Sequence, residues 1–249
     1  SDTYVAWNWK AGTGQGSSNT DGSINTTYTS VNTTAGFSIC KWSGTGATGT
    51  VGHGLGVAPS VVIVKQLTGT GDWYSYWKPL GNGNAIRLNT TDASGATGIW
   101  NSTSPTNQVF SVVNNSVVNA SGSDYIAYCF AEKTGYSKFG SYTGNGNADG
   151  TFVYTGFAPS WVMEKRTADS GWNWYINDNV RKTFNVNSTS LFADNSNAET
   201  SDGMYIDMLS NGFKLRETGN ATNASGQPMI YMAFGQSLVG SNNVPCTAR

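Results

Sequence analysis

Charge is scarce in this sequence. Lys, Arg, Asp and Glu make up 12% of its 249 residues, about half of the quarter usual in soluble domains. Fourteen basic residues against 15 acidic ones leave a net charge of −1, so no electrostatic footprint for nucleic acid or for an anionic membrane exists. No run approaches the ~20 apolar residues that span a bilayer. Neither nucleic acid nor membrane is therefore expected as a partner. The sequence starts at Ser1 without Met or a signal peptide, and the expectation is a chain cleaved from, or forming part of, a longer one.

Chemistry-bearing motifs are equally sparse. His53, between glycines in TVGHGLG, is the single histidine, and no HExxH, GxSxG, P-loop or GxGxxG opening a helix occurs. No pair among the acidic residues is singled out for glycoside hydrolysis. Asn145, Asn147 and Asp149 before Gly150 resemble the start of a calcium loop, but the twelfth position is Gly156 rather than Glu, which excludes an EF-hand. An exposed hairpin turn accounts for the same residues. Cys40, Cys129 and Cys246 contain no CxxC, so a zinc site is not expected. Cys40 and Cys129 sit in apolar strand patterns and suit small buried hydrophobes. One disulfide plus one free or intermolecular thiol is the alternative in an oxidising compartment. No catalytic residue, metal or cofactor is expected.

What is present is a repeat. Ser43–Lys65 (SGTGATGTVGHGLGVAPSVVIVK) aligns with Thr143–Lys165 (TGNGNADGTFVYTGFAPSWVMEK) at an offset of 100, which sets His53 on Val153. Asn119-Ala-Ser-Gly122 matches Asn223-Ala-Ser-Gly226, and each copy closes on an apolar run, YIAYCFAE to Glu132 and MIYMAFGQ to Gln236. VVIVK and WVMEK are short runs bounded by a Pro-containing turn. WYSYW (Trp73–Trp77) alternates as a half-buried strand does; QVFSVV (Gln108–Val113) and NGFKL (Asn211–Leu215) are further strand candidates. Without any capped 3.6-residue apolar period, the fold expected is all-β: two tandem β-sandwich modules, at 36–135 and 136–240, with a C-terminal tail at 241–249.

One segment has no place in either module. YVAWNWKAG (Tyr4–Gly12) repeats the closing run YIAYCFAEK, Tyr4 on Tyr125, Trp7 on Tyr128 and Trp9 on Phe130. Residues 1–12 thus form a spare strand, and the polar 13–35 reads as an exposed linker. Tyr4, Val5, Trp7 and Trp9 should not stand in water, since each aromatic buries ~150–250 Å². The segment folds back on its own module, docks on a neighbouring subunit by β-augmentation, or is the tail of an upstream module. The 9 Trp, 12 Tyr and 10 Phe divide between filling cores (Trp73, Trp77, Trp161, Trp172) and stacking on sugar rings. Nine N-x-[ST] sequons, among them Asn119 and Asn223, matter only in an exported, glycosylated chain.

YVAWNWKAG, NTTAGFSI, VGHGLGVAP, YIAYCFAE followed by GYSKFGSYTGNG, and the terminal VPCTAR resemble an uncharacterised family of tandem β modules. That family occurs in structural, tail-fibre-like proteins of aquatic bacteriophages and in environmental sequences. The resemblance implies a fibre or surface role outside the cell or on a virion, and carries no catalytic residue. Cys246 departs from it where Ala or Val is expected, which leaves a cross-link open. The expectation is a non-enzymatic subunit of an extracellular filament or phage-type fibre, self-associating head to tail through residues 1–12. The alternative is a receptor- or carbohydrate-binding module with cell-surface glycans as partners and an exposed aromatic cluster in both modules.

Overall fold

A computed structural model describes residues 4–201 and 204–235. The first half contributes β1 (Tyr28–Asn32), β2 (Phe37–Ser43), β3 (Gly49–Gly52), β4 (Val61–Gln66), β5 (Tyr74–Trp77), β6 (Asn84–Arg87), β7 (Gly95–Ala96), β8 (Val109–Val112) and β9 (Asp124–Phe130). They form a seven-stranded antiparallel sheet, β1-β2-β9-β4-β5-β6-β7, and a two-stranded one, β3-β8. The second half contributes β10 (Ser137–Thr143), β11 (Phe152–Tyr154), β12 (Pro159–Arg166), β13 (Tyr175–Asp178), β14 (Leu191–Phe192), β15 (Ile206–Leu209), β16 (Gly212–Leu215) and β17 (Pro228–Gly235). Its sheets are β10-β17-β12-β13-β14 and β11-β16-β15. The fold is all-β and of sandwich type; one 3-10 turn, Lys78–Leu80, interrupts the strands.

The repeat is reproduced in space. The order β2-β9-β4-β5 recurs as β10-β17-β12-β13, and β3-β8 as β11-β16. Both copies turn on a buried asparagine: Asn119 Oδ1 accepts from Thr45 N and Asn223 Oδ1 from Asn145 N, each at 3.1 Å. Their amides donate to Ala47 O and Asn147 O at 2.7 and 2.9 Å. Two of the sequons are thus interior groups that bond their own turn.

Each half carries its own core, Trp42, Val62, Val64, Phe110 and Tyr125 in the first, Tyr142, Val162, Phe213, Met229 and Tyr231 in the second. A third core lies between the halves. Along β4 the residues alternate in direction, so Val62 and Val64 face their own sandwich while Val61 and Ile63 join Trp77, Ile86 and Phe130 against Phe139, Trp161, Met163, Trp174 and Phe234. The rings of Trp77 and Trp174 meet at 5.6 Å. Main-chain bonds Ser94 N to Thr167 O (3.0 Å) and Gly171 N to Thr91 O (2.9 Å) close the rim. The molecule is four layers deep, and Trp77 and Trp161 fill this seam rather than the two separate sandwich cores; Trp73 and Trp172 are half-buried.

Two boundaries differ from the sequence expectation. Residues 13–35 are not an exposed linker. They end in β1, which pairs along its whole length with Phe37–Lys41 of β2, and begin in an arm that lies on β3. There Ile24 is buried, pairs in parallel with Val51 and donates its N–H to Thr50 O at 2.9 Å. Thr26 and Thr29 are buried with their hydroxyls 2.8 Å apart. Threonine is a strand former as well as a polar residue, and glycine lets the arm approach: a Cβ on Gly16 would stand 2.0 Å from Thr29 O. Residues 4–12 form no strand. The second half has no counterpart of this arm, so among the described residues the outer edges of β10 and β11 pair with no strand. The 241–249 tail, with Cys246, lies outside the described residues.

Candidate functional site

The N-terminal segment is a strap across the seam. Trp9 meets Trp161 edge-on at 5.3 Å, Phe234 at 5.2 Å and Phe130 at 6.3 Å, rings drawn from both halves. Trp7 meets Trp161 at 6.2 Å and lies under the Arg181 guanidinium at 5.8 Å. Arg181 is held by Asp178 Oδ2 at 2.6 Å and Ile176 O at 3.1 Å. Both indoles are half-buried; Val5 is 37% exposed and Tyr4 90%. Tyr4 and Val5 border an open groove of about 620 Å³ with Arg181, Leu191, Ala198 and Glu199.

Side chains alone hold the strap. Apart from Asn32 Nδ2 donating to Lys10 O at 3.2 Å, residues 4–11 make no ladder, whereas the matching run in β9 is paired on both sides by β2 and β4. Half-burying two indoles gives about 5 kcal/mol at ~25 cal/mol per Å². The ring pairs add about 3 kcal/mol. Fixing eight backbone residues costs about 8 kcal/mol. The two sides nearly cancel, so little net free energy holds the strap in the seam.

The second half leaves a strand edge open at β10. Gly144 N donates to Gln227 O and Gly235 N to Tyr136 O, which fixes the even-numbered residues toward β17 and turns the main-chain groups of Ser137, Phe139, Ser141 and Thr143 outward. Glu132 Oε1 takes Phe139 N at 3.1 Å and Thr151 Oγ1 donates to Thr143 O at 2.8 Å. Ser141 is exposed. In the first half β1 occupies the same edge of β2.

The remaining sequence candidates have structural posts. His53 is buried; its Nδ1 accepts from Leu55 N and its Nε2–H donates to Thr106 O, both at 3.2 Å. Burial holds its pKa below the ordinary 6.5, so the ring is neutral. Sheet register corrects its repeat partner: Val51 opposes Phe110 as Val153 opposes Phe213, which aligns His53 with Thr155, whose Oγ1 accepts from Phe157 N in the same way. Cys40 and Cys129 are buried free thiols. They face Ala127 and Ser38 respectively and are therefore diagonal neighbours, their thiols in hydrogen-bond contact and unbridged. Burial pushes the Cys129 thiol well up. Asn145 and Asn147 accept from the N–H two residues on, at 3.0 and 2.9 Å, and Asp149 pairs with Lys214, as in a hairpin turn.

One interior group escaped the sequence reading. Glu164 is 1% exposed in the second core, at the position that Val64 fills in the first. Tyr142 Oη lies 2.6 Å from Glu164 Oε2 and 2.7 Å from Thr222 O. One phenolic hydrogen cannot serve both acceptors. With Glu164 protonated, its own O–H fills the first contact and the phenol donates to Thr222 O. Burial raises the carboxyl pKa to about 8, in agreement.

No curated protein and no solved structure matches the chain. One sequence profile does, and it runs from Ser1 past the end of β17, over strap, arm and both halves. The chain belongs to the family of domains of unknown function DUF7483, whose profile covers residues 1–237.

Proposed function

We propose that this protein is a non-catalytic structural subunit that assembles head to tail by strand exchange into an extracellular filament or phage-type fibre. The observation that carries the reading is a matched pair of backbones without a strand partner among the described residues. The strap has the sequence of a closing strand but no ladder, and β10 presents an edge whose equivalent in the first half is filled by β1. A strap leaving its own seam at little cost and pairing on β10 of the next subunit is a heterologous contact, which propagates where it does not close. The sequence likeness to tail-fibre-like phage proteins supports placement outside the cell or on a virion surface.

Electron microscopy and sedimentation of the wild type, a deletion of residues 1–12 and Ser141→Pro test it. Pro at 141 removes only an outward N–H, so both variants should stay folded and monomeric while the wild type forms filaments. Filaments from the deletion variant, or a wild type that stays monomeric at high concentration, overturn the reading. A second reading, a carbohydrate-binding tip, draws on two outward aromatics of β11, although the cluster is not repeated in the first half.

A further inference from the structure

The outer face of β11-β16-β15 differs from that of its counterpart β3-β8. Alternation sends Val153, Phe213 and Met208 into the second core and turns Phe152, Tyr154, Lys214 and Asp207 outward, with Phe152 opposite Lys214 and Lys214 opposite Asp207. Phe152 is 45% exposed and Tyr154 65%. Two residues apart on a strand, they stand ~7 Å from each other.

Neither ring is loose. A Cβ on Gly212 would come within 3.1 Å of the Phe152 ring, and one on Gly156 within 3.7 Å of the Tyr154 ring. Phe152 therefore lies over the backbone at Gly212, while Tyr154 approaches Gly156 through its phenolic end and leaves most of its ring in water. Beside them Asp149 pairs with Lys214, and Arg216 bridges Asp149 at 3.7 Å and Asp207 at 3.4 Å. Two cations and two anions cancel, so this cluster offers hydrogen-bond donors and acceptors without net charge. Arg216 also borders an open groove of about 340 Å³ with Val186, Ser188 and Tyr205.

The first half has none of this. Register places Thr50 where Phe152 stands and Gly52 where Tyr154 stands, and the arm covers them: Ser23 N donates to Thr50 Oγ1 at 2.9 Å, and a Cβ on Gly52 would collide with Asn19. The repeat has thus exchanged a small-residue face under an arm for an uncovered aromatic face.

We infer that Phe152 and Tyr154, with Lys214, Arg216, Asp149 and Asp207, form a binding platform for a neutral polysaccharide. Sugar rings present apolar C–H faces to the two aromatics, and their hydroxyls bond to the balanced charges. Because the four charges are already paired with one another, the patch has no net charge to attract an ion of either sign, and an uncharged, hydroxyl-rich chain matches it. The inference deepens the second reading above and is independent of head-to-tail assembly.

Affinity electrophoresis of the full chain through gels containing hydroxyethylcellulose, laminarin or galactomannan tests it, with filament formation followed in parallel. The wild type should be retarded by at least one polymer. Phe152→Ala with Tyr154→Ala should weaken retardation by on the order of tenfold, while Tyr154→Phe, which keeps the ring, should retain it; both should melt and assemble as the wild type does. No retardation by any of the three, or retardation unchanged in the double variant, overturns the platform. So does a double variant that binds normally but no longer assembles, because the face is then a contact between subunits.

Discussion

Replacing Glu164 by Gln should change how stability depends on pH, not merely its level. The carboxyl has an ordinary pKa of 4.5 in the unfolded chain and about 8 in the folded protein. The folded state therefore binds the extra proton between these values, and stability falls as pH rises through that window. At ~1.4 kcal/mol per pH unit, the wild type surrenders about 3 kcal/mol by pH 7 and about 5 kcal/mol above pH 8.5. Glutamine keeps the shape and a donor toward Tyr142 but does not titrate. The assay is urea denaturation followed by tryptophan fluorescence at steps from pH 5 to 9, comparing the two proteins at each step. The free-energy difference should move in favour of Glu164→Gln by ~1.4 kcal/mol per unit and level off above pH 8. A difference that stays constant across the range would refute the protonated carboxyl, and with it the hydrogen assignment around Tyr142.

Trp9→Ala should free the strap without unfolding the sandwich, seen as rapid proteolysis near residue 10 and a loss of about 2–3 kcal/mol at most. Gly16→Ala, whose Cβ would strike Thr29 O, should detach the arm and expose Ile24, read as new hydrogen exchange along β3 and a cost of several kcal/mol. His53 resists protonation that the unfolded chain accepts near pH 6.5, so it contributes a stability loss as pH falls below 6.5; His53→Thr, the residue at the matching position in the second half, should abolish that loss in denaturation midpoints at pH 7.5 and 5.0. Asn119→Ala and Asn223→Ala should each cost about 2–3 kcal/mol, because the same turn loses the same buried partner, and equal midpoints for either variant and the wild type would contradict the equivalence.

Much of this architecture is readable before any coordinates. Gly44 on Gly144 and Asn119 on Asn223 mark equivalent turns, and the runs around Val61 and Trp161 are strands as their composition says. What periodicity does not resolve is how many layers those strands serve. VVIV is apolar at every position, and such a run suits a strand buried on both sides, but nothing in it names the second partner. The shared core followed from that ambiguity. The polar arm is hidden for a different reason: Thr, Ser and Asn are as fit for an edge strand as for a linker, and Ile24 is the one residue of the arm whose chemistry marks burial. Glu164 stands where a strand would be expected to emerge, next to Lys165, so its depth is a property of the fold. The platform had a visible signal in the alternation Phe152-Val-Tyr154, yet without the arm's position there was no means of knowing which face was bare.

The shared core also limits how such a chain can lengthen. The stack is complete: each large sheet has spent one face on its partner and the other on a small sheet. A third copy of the repeat would find both faces of each large sheet already covered among the described residues, so it could not repeat the seam that joins the first two. In this chain the large sheets are closed along the stacking axis, and strands run out of neighbours only at the rim, on the outer edges of β10 and β11.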